Sequence, residues 1–190
     1  GVFKGFYKNR EGVGQFGGDA RNALSRILRE IEVQAPVFSR HACEVQLHRR
    51  DANELVRELD PVDVAYFDPP YNEHPYGSNY FMLNLLCDYR RPAEVSRVSG
   101  IPKDWSRSDY NRARAAESAL FDAVAAVRAS FVLISYNSEG FIGQARFQQA
   151  LEGMGTLSVM DTRYNAFRGS RNLAGRERHV TEFLYLLDKR

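Results

Sequence analysis

Cysteine, histidine and tryptophan are scarce in this sequence. Its 190 residues include two cysteines, four histidines and one tryptophan. Cys43 and Cys87 are far apart, form no Cys-x-x-Cys spacing and lie in apolar segments, which predicts buried, reduced thiols rather than a disulfide. Because the histidines are scattered, the sequence predicts no metal site.

Long apolar runs and a large net charge are also missing. No apolar stretch approaches the roughly 20 residues of a membrane-spanning helix, and no signal peptide is visible. We therefore expect a cytoplasmic protein with no membrane partner. The formal net charge of +2 neither indicates nor excludes a nucleic-acid partner. A hydrophobic content of 44% in a chain of this length predicts one globular domain with a substantial core.

Arginine and lysine are concentrated in two segments. Basic loops of this kind suit contacts with phosphates, although ordinary solvated loops are the alternative for any single residue. The first segment contains Arg90, Arg91, Arg97, Lys103, Arg107, Arg112 and Arg114, and the second contains Arg163, Arg168, Arg171, Arg176 and Arg178.

The most informative stretch is Asp63–Asn72, with the sequence DVAYFDPPYN. Its first half predicts a strand buried in a parallel sheet. Pro69 and Pro70 end that strand, which places Asp68 at its carboxyl end, where open α/β sheets bind ligands. The Asp68 carboxylate and the Pro69 carbonyl are hydrogen-bond acceptors, and Tyr71 adds a flat aromatic face. These groups suit a planar nucleobase that carries an amine; a strand ending in a Pro-Pro turn with a half-buried tyrosine is the alternative.

The tetrapeptide Asp68-Pro69-Pro70-Tyr71 resembles the catalytic motif of the S-adenosylmethionine-dependent amino-methyltransferases, in particular the Dam-like D12 class of DNA adenine-N6 methyltransferases. The resemblance implies an α/β, Rossmann-like methyltransferase fold, a mostly parallel sheet with an antiparallel final strand. It implies S-adenosylmethionine as cofactor and double-stranded DNA with a flipped adenine as partner. It also implies a restriction-modification system acting at the prokaryotic nucleoid.

Residues 43 to 50 alternate between apolar and polar side chains, which predicts a half-buried strand. Asp51 follows that strand and opens a short helix over residues 54 to 59. The residues alone favour a helix N-cap for Asp51. The resemblance implies a second role, in which Asp51 and Ala52, together with Asp68, contact the cofactor.

The resemblance also implies which residues meet the target base. The polar and aromatic loop after the motif would close over the base, and residues 81 to 86 then return to the core. A second buried strand over residues 131 to 137 and a final hairpin, with strands at 156–164 and 180–187, would complete the pocket. Its candidate substrate-binding residues are Asn72, Tyr76, Asn79, Tyr80, Asn137 and Phe167, with Ser135 and Tyr164 as further candidates.

We divide the chain into an N-terminal segment, 1–40, and a catalytic portion, 41–190, with a basic insert at 88–116. The resemblance implies that the first part of the N-terminal segment is the tail of a DNA-recognition region, and a surface loop that ends at a helix is the alternative. An amphipathic packing helix then begins at Asp19. The Phe-x-Gly-x-Gly cofactor loop of the family is not found before Asp51. We therefore expect a fold incomplete at its N-terminus, a C-terminal catalytic portion whose cofactor site an upstream segment or a second chain completes.

The chemistry expected of the motif is amine methylation. Two acceptors can take both protons of an exocyclic adenine amine in hydrogen bonds, which localises the nitrogen lone pair and aims it at the methyl donor. No cysteine nucleophile is needed, which separates this reaction from cytosine-C5 methylation. The alternatives are an RNA base amino-methyltransferase and an inactive remnant that only binds nucleic acid.

Overall fold

The structure is a computed structural model, which describes residues 6–8, 14–16, 34–97, 101–165 and 179–190. The chain is divided into two compact units. The first unit comprises residues 1–48 and 76–107, and the second comprises residues 49–75 and 108–190. Most of the predicted helix after Asp19, and Phe167, lie outside the described residues.

The described elements follow one another in this order. The strands are β1 (Phe6–Lys8), β2 (Gly14–Phe16), β3 (Val62–Phe67), β4 (Ala129–Asn137), β5 (Thr156–Asn165) and β6 (His179–Asp188). The helices are α1 (Ala52–Glu58), α2 (Tyr76–Asn79), α3 (Phe81–Asp88), α4 (Ala116–Ala126) and α5 (Gln144–Glu152), with one 3₁₀ turn at Asp109–Asn111.

A four-stranded sheet in the order β3-β4-β6-β5 organises the second unit. β3 and β4 are parallel, whereas β6 is antiparallel to both β4 and β5. Three strands therefore run in one direction, and the final strand of the chain is inserted between two of them in the opposite direction. This α/β arrangement confirms the predicted fold class, with its antiparallel final strand.

One face of this sheet carries the core. Alternate residues of β4 and β6 point to it, and helices α1, α4 and α5 cover it with Val56, Leu120, Val124, Phe147 and Leu151. The rings of Phe147 and Tyr185 stack with centroids 4.5 Å apart. Each fully buried side chain of this size contributes about 1.5–3 kcal/mol, so this face holds the carboxyl ends of the strands in register.

The opposite face of β3 is exposed. Val62, Val64 and Tyr66 keep 40%, 52% and 59% of their surface accessible, whereas Ala65 and Phe67 are half-buried against the core. The prediction of a strand here is confirmed, but the prediction that it is buried on both faces is wrong. The reason is that successive side chains of a strand point to opposite faces, and only one face is covered.

The predicted strand over residues 43 to 50 is wrong. These residues form no regular element, and all are exposed, including Cys43. Leu47 keeps 92% of its surface accessible. Alternation alone does not make a strand, because the backbone groups of a strand need a hydrogen-bonded partner. No strand in the described part of the chain pairs with this segment.

The loop predicted after the motif is also wrong, since residues 76 to 79 form α2 and residues 81 to 88 form α3. The rings of Tyr76 and Tyr80 stack at 5.5 Å. No residue of α3 is buried, and both Leu86 and Cys87 are exposed. The apolar spacing predicted a core segment, but a helix buries a face only where another element covers it.

Candidate active site

The segment Asp68–Asn72, called here the catalytic turn, leaves the carboxyl end of β3. Phe67 pairs with Ile134 in the parallel ladder, so Asp68 lies at the sheet edge where β4 also approaches its end. Asp68 is exposed, whereas Pro69 is buried. A buried proline followed by a second proline gives the exposed carboxylate a rigid support, because both residues have a fixed φ angle.

Hydrogen bonds hold the far end of the catalytic turn. The Tyr71 carbonyl accepts a hydrogen bond from the Phe141 backbone N–H at 3.1 Å. The Asn72 carbonyl accepts one from the Asn111 side-chain amide at 2.8 Å. The Asn72 side-chain oxygen in turn accepts from the His74 N–H at 2.9 Å. The turn is therefore fixed by two segments remote in sequence.

The Tyr71 ring is half-buried and packs edge-on against Tyr136, with centroids 6.0 Å apart and an interplanar angle of 70°. Tyr136 is itself in the core, in contact with Phe147 at 4.8 Å. This contact anchors the Tyr71 ring to the core.

Polar side chains from β4, β5 and β6 meet near the same edge. Asn137 is buried, and its side-chain oxygen accepts from the Glu139 N–H at 3.0 Å. Ser135 and Tyr164 both donate hydroxyl hydrogen bonds to Glu182, at 3.2 and 3.3 Å. Burial raises the pKa of the Tyr164 hydroxyl, and the Glu182 carboxylate raises it further.

Asp51 occupies the N-cap position of α1. Its carboxylate accepts from the Glu54 backbone N–H at 3.1 Å, which confirms the N-cap prediction. The described residues that lead into it, 34–50, form no strand, so its predicted position at a strand end is wrong. A cavity of about 460 Å³ opens beside it. The lining carries three carboxylates and three hydroxyls, from Asp51, Asp109, Asp122, Ser108, Tyr110 and Ser118.

A hydrogen-bonded network closes one side of this cavity. The Tyr110 hydroxyl donates to the Asn53 side-chain oxygen at 2.7 Å, and the Asn53 amide donates to Asp122 at 2.9 Å. Arg57 donates to the same carboxylate at 2.6 Å and, together with Asn53, lowers its pKa. Burial, followed by the charges of Asp51 and Asp122, raises the pKa of Tyr110 to about 12.

Sequence reasoning missed several residues of this region, namely Glu182, Asn111, Asn53, Tyr110 and Asp122. Glu182 had one available signal, since it is a carboxylate near the start of the mostly apolar final strand. The others lie in a helix and a turn of ordinary composition, where nothing local distinguishes them.

The predicted site residues fall into two groups. Asp51, Asp68, Tyr71, Asn72 and Asn137 all belong to the second unit. Of the remaining substrate-binding candidates, Tyr76, Asn79 and Tyr80 belong to the first unit, and Phe167 lies outside the described residues.

The basic insert is partly compensated by its own contacts. Arg107 stacks over the Trp105 ring at 4.4 Å from its centroid. Lys103 pairs with Glu94 and Arg112 with Asp109, at 2.8 and 2.9 Å. These ion pairs are exposed, so each contributes little to stability.

The described residues were searched for metal-binding groups and for membrane-spanning helices. No group of three or more His, Cys, Asp or Glu side chains there is arranged to hold a metal ion. None of the helices in those ranges combines the length and apolarity that a membrane span requires.

Comparison with known proteins identifies the family of this chain. The family model for the D12 class N6 adenine-specific DNA methyltransferases matches residues 4–139. The chain belongs to this family, which confirms the resemblance carried by the tetrapeptide at Asp68.

Similar curated proteins from bacteria and a virus are named type II methyltransferases or modification methylases. Type II methyltransferase M.NlaIII of Neisseria lactamica is 25% identical, over 92% of this chain and 52% of its own length. Modification methylase StsI of Streptococcus sanguinis is 26% identical, over 94% and 27%. Type II methyltransferase M.CviAII of Paramecium bursaria Chlorella virus 1 is 29% identical, over 88% and 48%.

The chain thus spans about half, or less, of the length of these relatives. No solved structure matches it significantly.

Proposed function

We propose that the protein carrying this chain transfers a methyl group from S-adenosylmethionine to the N6 amine of adenine in DNA, in a restriction-modification system of the prokaryotic cytoplasm. The observation that carries this proposal is the exposed Asp68 carboxylate on a rigid Pro-Pro support at the carboxyl edge of the sheet, in a chain of the D12 family.

In this proposal the catalytic turn acts by orientation and electrostatics. The Asp68 carboxylate and the Pro69 carbonyl accept hydrogen bonds from the two amine protons, and Pro70 keeps the two acceptors in place. S-adenosylmethionine, when bound, supplies an electrophilic methyl group. Asp68 is exposed, and hydrogen bonds from Phe141 and Asn111 fix the far end of the turn. In this proposal the two acceptors therefore already have their positions before the base binds.

The target adenine must leave the duplex to reach such a site. Tyr71, which Tyr136 anchors to the core, would stack on the extruded base. Asn72 and Asn137 flank the same edge and would supply hydrogen bonds. Roles for Tyr76, Asn79, Tyr80 and Phe167 in substrate binding remain predictions.

For the cofactor we propose Asp51, Ala52 and Asp68. The cavity beside Asp51 fits the adenosine portion of S-adenosylmethionine by its chemistry, since carboxylates and hydroxyls accept from an amine and bond to ribose hydroxyls. Its volume of about 460 Å³ is also within the usual range for small-molecule sites.

We further propose that another segment, or a second chain, covers β3 and completes the cofactor site. The support is the exposed apolar face formed by Val62, Val64 and Tyr66, together with a β3 strand that pairs only with β4 within the described residues. An apolar strand with a free edge is a surface to which a further strand or helix adds readily.

The test uses tritiated S-adenosylmethionine with unmethylated genomic DNA and, in parallel, total RNA, followed by separation of the nucleosides. It is run on this chain and on a version extended upstream. Label in N6-methyldeoxyadenosine is the expected result. Label only in RNA would move the assignment to an RNA base methyltransferase, and no label from either version would favour the inactive nucleic-acid-binding remnant.

The matched variants are Asp68→Ala and Asp63→Ala, two exposed carboxylates at opposite ends of one strand region. Asp68→Ala should lower the rate of methyl transfer by at least about 100-fold, because it removes one of the two acceptors. Asp63→Ala should retain wild-type turnover. Normal turnover by Asp68→Ala would contradict the assignment.

A further inference from the structure

A single carboxylate near the start of β6 connects three strands. Glu182 pairs in register with Asn137 of β4 and with Thr162 of β5. One of its oxygens accepts from the Ser135 hydroxyl at 3.2 Å, and the other accepts from the Tyr164 hydroxyl at 3.3 Å. Glu182 is half-buried, and its bond with Ser135 is partly shielded from water, whereas its bond with Tyr164 is exposed.

The directions of these hydrogen bonds are fixed. The hydroxyls of Ser135 and Tyr164 are the donors, and each donates to a different oxygen of Glu182. The Tyr164 phenol is therefore tied to β6 by Glu182 while 43% of the residue stays exposed.

This cluster adjoins the catalytic turn. Phe67 pairs with Ile134 in a parallel ladder, so the next residues along the two strands, Asp68 and Ser135, are neighbours at the carboxyl edge. Tyr71 lies close enough to Tyr164 for the two phenols to influence each other electrostatically. Ser135 and Tyr164 thus border the groups proposed to receive the adenine.

We propose that Glu182 is a positioning residue of the base pocket, which holds Tyr164 and Ser135 in one arrangement beside the catalytic turn. This inference rests on the proposed function. Glu182 itself does not touch the reacting amine; its effect on the reaction passes through the tyrosine. A pocket wall fixed in advance needs no reorganisation when the extruded base enters, which favours turnover more than ground-state binding.

The kinetic test uses Glu182→Ala, Tyr164→Phe and the double variant, with Glu152→Ala, an exposed glutamate at the end of α5, as control. Both single variants should lower kcat about 10- to 100-fold with little change in KM for S-adenosylmethionine. The double variant should be no slower than the slower single one, because both changes remove the same contact. Losses that multiply, or wild-type kcat in Tyr164→Phe, would overturn the proposal.

A second measurement does not depend on activity. The difference between the alkaline absorbance titrations of the protein and of Tyr164→Phe reports the ionisation of Tyr164. The same difference taken in a Glu182→Gln background should shift to lower pH, because the carboxylate that raises the pKa of Tyr164 is gone. An unshifted titration would show that Glu182 does not hold this phenol, even if the wild-type protein methylates DNA. Failure of the wild type to methylate would contradict the proposed function alone.

Discussion

The Tyr185 hydroxyl is enclosed in the core of the second unit, and it has no hydrogen-bond partner among the described residues. A buried hydroxyl without a partner costs about 1–3 kcal/mol relative to one exposed to water. Tyr185→Phe keeps the ring that stacks on Phe147 and removes only this oxygen. We therefore expect the variant to be as stable as the wild type or more stable, by about 1 kcal/mol, in urea unfolding at pH 8.

The pH dependence follows from the same burial. Burial raises the pKa of Tyr185 to about 12, whereas an unfolded tyrosine titrates near 10. The folded state thus holds the proton more tightly, and this contribution to stability is complete below pH 10 and lost as the pH rises toward 12. Tyr185→Phe should lose less stability than the wild type between pH 10 and 12. A variant that loses stability at pH 8 would show instead that the hydroxyl is bonded.

Residues were predictable where the signal is local. Asp68 and Tyr71 stand in one tetrapeptide after a strand, and Asp51 precedes a helix it could cap. Glu182, Asn111 and Tyr110 gained their significance from partners 47, 39 and 57 residues away, which no local pattern announces. Such pairings exist only once the sheet has brought the segments together.

At the scale of elements, a predicted helix or strand was confirmed where other elements bury its apolar face. The strand predicted at 131–137 was confirmed, because other elements cover its core-facing side chains. The strand at 43–50 and the core segment after Phe81 had similar apolar patterns and failed. Their side chains are exposed in the structure. The apolar periodicity indicates which face of an element can be buried, but it does not indicate whether another element covers that face.

The catalytic turn gives a prediction at this scale. It is an irregular segment, and its geometry depends on the Asn111 amide that donates to the Asn72 carbonyl at 2.8 Å. Asn111→Ala and the isosteric Asn111→Asp both remove that donor. Each should lower kcat about 10-fold with little change in KM for S-adenosylmethionine, because the two acceptors of the turn lose their fixed position.

Steady-state methylation of DNA measures this effect, with circular dichroism to confirm the fold. Glu117→Gln is the control, since it weakens only an exposed ion pair with Arg146 and should leave kcat unchanged. If Asn111→Asp turned over at the wild-type rate, the Asn111 contact would have no part in positioning the turn.

At the scale of the whole molecule, the sheet formed by the described residues has β3 and β5 as its edge strands. β3 carries the exposed apolar face of Val62, Val64 and Tyr66. The Val62 N–H donates toward β4, to the Arg128 carbonyl, so alternation directs the N–H groups of Asp63, Ala65 and Phe67 away from β4. If a further segment or chain pairs with this edge, these three amides are the ones it protects.

Hydrogen exchange of this chain and of a version extended upstream tests that expectation, with the outward amides of β5 as an internal control. In the extended version the amides of Asp63, Ala65 and Phe67 should exchange at least about tenfold more slowly, whereas those of β5 should not change. Equal slowing at both edges would indicate general stabilisation rather than pairing at β3. Unchanged exchange at β3 would mean that its edge stays open and that the cofactor site is completed elsewhere. Since an open edge of this kind also invites self-association, slower exchange at β3 should be accompanied by a lower tendency of the protein to aggregate.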